Sequence, residues 1–106
     1  MIVETVTFQI LPGMSRDDVL ADGRTTLERW TNFPGLVRKT FVMVDASTAM
    51  GVYLWESEAA ADIGHDAAWL DRAEQHWGNR PRIVRYDALM ELDNRHGEVL
   101  EFPPEG

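Results

Sequence analysis

The chain has 106 residues, a formal net charge of -8 at pH 7 and a sequence pI near 4.7, and this acidic balance argues against nucleic-acid binding, because a phosphate backbone requires clustered lysine and arginine. A single domain of this length buries only about two-thirds of the surface of its unfolded chain, so a large internal cavity requires support from a partner subunit. The absence of cysteine excludes disulfides, thiolate zinc sites and cysteine nucleophiles.

The first predicted element is a strand that begins near residue 2 and ends before the Pro-Gly pair at 12–13. Apolar residues alternate along it with more polar ones, which is the period of a strand with one buried face. The apolar set is Ile2, Val6, Phe8 and Ile10.

A helix is predicted next, from an N-cap at Ser15 to about Asn32. Ser15 with Asp18 three residues later is typical of a capping box, and acidic residues in the first turn suit the positive end of the helix dipole. Apolar and small residues recur at helical spacing and form one stripe. The stripe contains Val19, Leu20, Gly23, Leu27 and Trp30.

Two strands joined by a short turn follow this helix. Residues 36–44 and 50–56 are rich in β-branched and other apolar residues, and turn-forming residues occupy 45–48. We therefore expect a β-hairpin here.

The second helical segment is predicted to contain a break. Ser57 caps its start, and the Gly-Asn-Arg-Pro sequence at 78–81 ends it. Gly64 and a second N-cap, Asp66, indicate that the helix stops and restarts between them. His65 then lies outside both helical pieces, where its side chain can turn inward. In an unbroken helix, His65 would instead point to water on the same face as Trp69.

A last strand is predicted over residues 82–92, and an acidic tail follows it. The order of elements is β-α-β-β-α-β, which predicts a ferredoxin-like α+β fold with an antiparallel four-stranded sheet and both helices on one face. We expect one domain over residues 1–94 and an acidic C-terminal tail over residues 95–106. The tail is predicted to be irregular or to lie across a neighbouring subunit.

The other face of the predicted sheet carries apolar side chains without a covering layer. Val42, Val44, Val52 and Leu54 are too apolar to be left in water. Because the charged tail is a weak cover, we expect a second copy of the chain to pack on this face. Two such sheets related by a two-fold axis give a homodimer, a dimeric α+β barrel.

Several short sequence elements resemble one protein family over nearly the whole chain. They are Pro-Gly-Leu-Val-Arg-Lys at 34–39, Gly-Val-Tyr-Leu-Trp-Glu-Ser at 51–57, the alanines at 59–61, Trp69 and Asp93-Asn94. On these elements the chain resembles the YdhR-like monooxygenases of the dimeric α+β barrel superfamily, which also contains the antibiotic biosynthesis monooxygenases. Family sequences often have Thr-Pro-Glu-Trp where this chain has Asp-Ala-Ala-Trp at 66–69.

The resemblance implies an oxygenase that uses no flavin, haem or metal and in which O2 reacts directly with the anion of an aromatic, polyketide-like substrate. Such a reaction requires a dry aromatic pocket, a group that accepts or holds a phenolic proton, and donors that stabilise the phenolate or enolate. His65 and Tyr53 are the candidate catalytic residues. Of these, His65 is the candidate base, because its reference pKa is near neutral. The candidate substrate-binding residues are Trp30, Arg38, Trp55, Trp69 and Tyr86.

Each of these residues also has a structural explanation. Trp30 and Trp55, like Trp77, have the spacing of core aromatics. His65 can serve as a surface or capping residue, and Arg38 can form an ion pair in the dimer interface. The pairs His65 with Asp66 and His76 with Glu74 do not have the i, i+4 or strand-alternate spacing of metal ligands, and no third ligand stands out, so we expect neither a metal nor a cofactor.

Three functional classes remain open on the sequence alone. The first is a cofactor-independent monooxygenase acting on a small aromatic or polyketide-like compound. The second is a non-oxidative cyclase or isomerase on the same scaffold, and the third is a small-ligand-binding dimer without catalysis. No apolar run approaches the roughly 18 residues of a spanning helix and no basic signal segment is seen, so we expect a cytoplasmic protein without membrane contact.

Overall fold

The computed structural model describes residues 1–105, which form six strands and four helices. Their bounds are β1 Ile2–Gln9, α1 Arg16–Thr25, α2 Leu27–Trp30, β2 Leu36–Asp45, β3 Thr48–Trp55, α3 Glu58–Gly64, α4 Ala67–Trp77, β4 Arg82–Asp87, β5 Met90–Asp93 and β6 Glu98–Glu101. The predicted capping box at the start of α1 is present, since Ser15 and Asp18 exchange side-chain to backbone hydrogen bonds. Over the described part of the chain, no helix has the length and apolar character needed to cross a membrane.

The main sheet has the strand order β2-β3-β1-β4, and each neighbouring pair is antiparallel. β1 and β3 are therefore the central strands, and β1 pairs along its whole length, from Ile2 opposite Trp55 to Gln9 opposite Thr48. This order confirms the predicted ferredoxin-like α+β fold with a four-stranded antiparallel sheet.

The hydrophobic core lies between one face of this sheet and the helices, and it has two parts. The larger part contains Ile2, Val6, Trp30, Tyr53, Trp55 and Ala61. The smaller part contains Ile10, Ala49 and Trp77, with Phe8 packed on the Trp77 ring. The predicted inward set of the first strand is thus confirmed.

The first helix is shorter than predicted, because α1 ends at Thr25 instead of continuing to Asn32. The hydroxyl groups of Thr25 and Thr26 donate to carbonyl oxygens three residues earlier, at 2.6 and 2.7 Å. Such local hydrogen bonds compete with the helical ladder and favour a helix end. The short helix α2 then restarts and brings Trp30 into the core.

The last predicted strand is also wrong in its extent, because it is interrupted after Asp87. Asp87 pairs with Ile2, the first residue of β1, so a longer β4 would have no neighbour on that side. The chain instead turns away, and β5 pairs with β6 as a separate two-stranded sheet. Residues 98–101 of the tail are therefore not irregular, whereas the expectation that the tail lies across a neighbouring subunit stays a prediction.

The second face of the main sheet has no covering helix within residues 1–105. The register places Val42, Val52 and Val84 on this face, together with Leu54, which is already buried. The β5–β6 hairpin adds three side chains that are more than 60% exposed, namely Met90, Leu92 and Val99. The expectation that a second subunit covers these apolar residues stays a prediction.

Candidate functional site

A polar row crosses all four strands on the helix-covered face of the sheet. Lys39 of β2 is opposite Tyr53 of β3, Tyr53 is opposite Glu4 of β1, and Glu4 is opposite Arg85 of β4. The positions before and after Glu4 on this face, Ile2 and Val6, are apolar core residues. The row therefore places an amine, a guanidinium, a carboxylate and a phenol side by side in an otherwise apolar layer.

Glu4 is the centre of this row and is fully buried. Its Oε1 accepts hydrogen bonds from Trp55 Nε1 at 2.9 Å and from His65 Nδ1 at 2.6 Å, and its Oε2 accepts one from Arg85 Nε at 2.7 Å. Burial raises the pKa of Glu4, but the hydrogen bonds and charges of these partners together outweigh it and hold the pKa below its usual value of 4.5. Glu4 is therefore an ionised carboxylate that joins three strands of the sheet to His65, in the loop between α3 and α4.

The predicted helix break that turns His65 inward is confirmed. α3 ends at Gly64, and Asp66 caps α4 by accepting a hydrogen bond from the backbone N–H of Trp69 at 2.8 Å. His65, between the two helices, is only 4% exposed. Gly64 also allows a close approach, because a Cβ at this position would lie 2.4 Å from the Trp55 ring.

His65 has one bound and one free ring nitrogen. Burial lowers the pKa of His65 below its usual value of 6.5 and outweighs the opposing effect of Glu4. The imidazole is then neutral, with Nδ1–H donating to Glu4 and Nε2 carrying a lone pair that has no partner within the described residues. The ring packs edge-on against Trp69 and Tyr53, at centroid distances of 4.4 and 4.5 Å.

The neutral state of His65 makes protein stability depend on pH. At pH values between the folded pKa of His65 and 6.5, the unfolded chain binds more protons than the folded chain. The free energy of unfolding is therefore expected to decrease as the pH falls below about 6.5. The stability that Glu4 contributes is lost at lower pH, as the pH falls through its own folded pKa below 4.5. Urea unfolding at a series of pH values measures both effects. His65→Asn keeps an N–H donor for Glu4 and should abolish the first decrease, so an equal decrease in both proteins would contradict this assignment.

An apolar cavity of about 580 Å³ lies beside the polar row, between the sheet and the helices. Its walls come from α1, α2, β1, β2, β3 and α4. The apolar and aromatic lining residues include Val6, Phe8, Val19, Leu20, Leu27, Trp30, Phe41, Met43, Tyr53, Trp69 and Trp77. The polar and charged ones include Arg16, Asp22, Arg24, Thr26, Arg29 and Lys39.

The helix α1 does not fill the space beneath it. None of its residues is buried, although its apolar stripe faces the sheet side of the cavity. Leu20, Leu27 and Phe41 line the cavity and are still 41%, 48% and 42% exposed. The cavity therefore opens to solvent beside α1, α2 and β2, and a bound apolar molecule would cover these side chains.

The structure brings some of the predicted site residues together and separates others. Trp30, Tyr53 and Trp69 line the cavity. Trp55 and His65 lie directly behind them, in contact with Tyr53 and Trp30.

Arg38 and Tyr86 lie on the opposite face of the sheet, away from the cavity. Arg38 forms an ion pair with Glu91 of β5, and Tyr86 is 55% exposed. Neither side chain is placed beside the three aromatic residues that line the cavity.

Sequence reasoning missed Glu4, Lys39 and Arg85. The available signal was a charged residue at an inward position of a strand, because Glu4 interrupts the apolar alternation of the first strand. Lys39 has the same parity as Phe41 and Met43, which also face inward. A charge at such a position requires a partner or a function.

Two solved structures share the fold at low sequence identity. A monooxygenase from the gene ActVA-Orf6 of Streptomyces coelicolor, in complex with the ligand nanaomycin D, is similar with a TM-score of 0.63 and 19% identity over 86% of this chain and 89% of that chain. The structural-genomics protein YJCS is similar with a TM-score of 0.60 and 13% identity over 82% of this chain and 97% of that chain. No protein-family model and no curated protein matches the sequence. At these identities the similarity establishes the fold.

Proposed function

We propose that the protein is a cofactor-independent monooxygenase of the YdhR-like kind, which oxidises a small aromatic or polyketide-like compound in the cavity between the sheet and the helices. The observation that carries the proposal is the aromatic cavity of about 580 Å³, left unfilled beneath the apolar stripe of α1. Its size is within the range of small-molecule sites. Support also comes from the similar monooxygenase, which holds nanaomycin D.

Tyr53 is proposed as the hydrogen-bond donor to the reacting oxygen of the substrate. It lines the cavity, and its hydroxyl makes no hydrogen bond within residues 1–105. Burial, with a smaller contribution from Glu4, raises the pKa of Tyr53, so the hydroxyl stays protonated at neutral pH. A fixed donor of this kind stabilises negative charge that develops on a phenolic or enolic oxygen. The lack of a side chain on Gly51 leaves room for the Tyr53 ring, since a Cβ there would lie 2.7 Å from it.

His65 is proposed to act on the substrate through Tyr53 and Trp69. Its ring contacts both residues, while Glu4 fixes its Nδ1 side. In this arrangement His65 is a positioning residue that sets the orientation of two cavity walls. The free Nε2 lies within the aromatic cluster formed by those walls.

Oxygen uptake with an anthrone tests the proposed reaction, because an anthrone supplies all the electrons that O2 requires. Its methylene carbon loses two hydrogens and gains one oxygen atom as a carbonyl, and the second oxygen atom leaves as water. Protein dialysed against a chelator and free of flavin should consume O2 faster than the buffer blank. Tyr53→Phe should lower kcat about 100-fold through loss of one donor. The matched deletion Tyr86→Phe, on the opposite face, should have no effect.

Uptake no faster than the blank for a series of anthrones and naphthols would contradict the oxygenase proposal. Turnover that continues equally well under nitrogen would instead support the cyclase or isomerase class. Binding of the same compounds without any turnover would support the non-catalytic ligand-binding dimer.

We also propose that two copies of the chain pack through the second face of the sheet and the β5–β6 hairpin. Leu92 and Val99 are opposite each other in that hairpin and are both largely exposed. Leu92→Glu should weaken self-association at least about tenfold in sedimentation equilibrium, because it places a charge on an apolar patch that the proposed dimer would bury. Ile63→Glu, at an equally exposed apolar position on α3, should leave it unchanged. A monomer for the unmodified protein at micromolar concentration would contradict the proposal.

A further inference from the structure

Lys39 is a charged side chain that lines the cavity and lies against three of its aromatic rings. Its Nζ lies 4.1 Å from the ring centroid of Phe41, 4.7 Å from that of Tyr53 and 4.8 Å from that of Trp30. Among residues 1–105 no carboxylate comes within 4.0 Å of this nitrogen, unlike Arg38, Arg80 and Arg85, which all have acidic partners. The amine therefore faces three aromatic rings without a counter-ion.

Such surroundings hold the amine close to its neutral form. Burial, with a smaller contribution from the nearby guanidinium of Arg29, lowers the pKa of Lys39 to about 7. The faces of the three rings attract the ammonium form and oppose this effect. At neutral pH Lys39 can consequently accept a proton. Once protonated, its ammonium group has no counter-ion among residues 1–105, and an anionic ligand would supply one.

The other titratable and charged groups around Lys39 do not combine the two properties needed, which are to accept a proton at neutral pH and then to stand as a cation beside an anion. The groups that line the cavity are Arg16, Asp22, Arg24, Arg29 and Tyr53, and Glu4 and His65 lie behind Tyr53. The arginines are always protonated, Asp22 is bonded to His76 at 2.8 Å, and the raised pKa of Tyr53 keeps its proton. Glu4 already accepts three hydrogen bonds. His65 is not among the cavity-lining residues.

We propose that Lys39 is the catalytic residue that ionises the ligand, and that the ligand is an acidic phenol or enol bound as its anion. The phenolic O–H bond breaks, an N–H bond forms on Nζ, and the complex keeps the same total charge. The resulting ammonium stays beside the oxyanion, with Tyr53 as its cross-strand neighbour and second donor. This inference rests on the proposed function, since it assumes that the cavity holds an aromatic hydroxyl compound, but it requires no oxygen.

The test is the ionisation of a chromophoric bicyclic phenol, 7-hydroxycoumarin, bound to the protein under nitrogen. Its phenolate absorbs at longer wavelength than the phenol, so absorbance reports the pKa of the bound probe directly. With the unmodified protein the bound probe should ionise at a pH at least about one unit below that of the free probe. Lys39→Met should return the midpoint to that of the free probe or above it and weaken phenolate binding roughly tenfold or more. Lys39→Arg keeps the cation and should retain the lowered midpoint.

Arg72→Met is the matched charge control, because it removes one cation from the exposed surface of α4 and should leave the midpoint unchanged. An unshifted midpoint in the unmodified protein, or a lowered midpoint that survives in Lys39→Met, would overturn the role of Lys39 while leaving the oxygenase proposal standing. Failure of the probe to bind at all would likewise overturn the inference that the cavity holds an aromatic hydroxyl compound as its anion, whereas a lowered midpoint without oxygen uptake by anthrones would overturn only the oxygenase.

Discussion

Replacing Glu4 by glutamine is expected to lower the free energy of unfolding by about 3 kcal/mol. Glutamine has nearly the same shape, but it removes the charge of a buried carboxylate and so breaks its ion pair. The carboxylate is completely buried and accepts hydrogen bonds from Trp55, His65 and Arg85. The side-chain amide of glutamine has only one acceptor oxygen. The two N–H donors of its NH2 group would face groups that are themselves donors. Urea unfolding at neutral pH measures the change.

The matched control is Glu74→Gln, which removes a carboxylate from an exposed ion pair. Glu74 and its partner Arg80 are both nearly half exposed, so water screens their interaction. This variant should change the free energy of unfolding by less than about 0.5 kcal/mol. If the two variants had equal effects, Glu4 could not be the structural centre described above.

Gly64→Ala is expected to lower the free energy of unfolding by about 2 kcal/mol through overpacking. The added Cβ would lie 2.4 Å from Trp55 Cη2, and the Trp55 ring is completely buried. The ring cannot move without disturbing its hydrogen bond to Glu4. Thermal or urea unfolding measures this loss of stability. A near-ultraviolet circular dichroism spectrum of the folded variant that differs from that of the unmodified protein would report the displaced tryptophan.

Gly23→Ala is the matched control, because this glycine also lies in a helix and close to an aromatic ring. Its Cβ would lie 3.0 Å from the ring of Phe41, but that ring is 42% exposed and borders the open cavity. The ring can shift into free space, and alanine favours the helix by about 1 kcal/mol over glycine. Gly23→Ala should therefore be neutral or stabilising, and a loss equal to that of Gly64→Ala would contradict the packing argument.

The sequence was sufficient for features that depend on local chemistry. The helix break around His65 follows from a glycine and a cap residue on either side of it, and the structure confirms both the break and the inward side chain. The order of strands and helices likewise follows from periodicity and turn residues. The early end of α1 was missed, because the threonine hydroxyl bonds that end it compete closely with helical continuation.

The polar row could not be read from the sequence, because it depends on register. Lys39, Tyr53, Glu4 and Arg85 come from four strands, and a shift of one residue in any pairing would move a member to the other face. The cavity was equally hidden. An apolar stripe on a helix has the same pattern whether it packs on protein or faces a space for a ligand, and only the position of α1 above Phe41 distinguishes the two.

The most direct test of the proposed site is a crystal structure of the protein in complex with a hydroxylated anthraquinone. The crystals are grown in the absence of any substrate that O2 oxidises. We expect the ring system in the cavity, bordered by Trp30 and Phe41, with a ligand oxygen about 2.7–3.1 Å from Lys39 Nζ. A ligand bound instead on the opposite face of the sheet near Tyr86, with the cavity empty, would contradict the assignment of this cavity as the functional site.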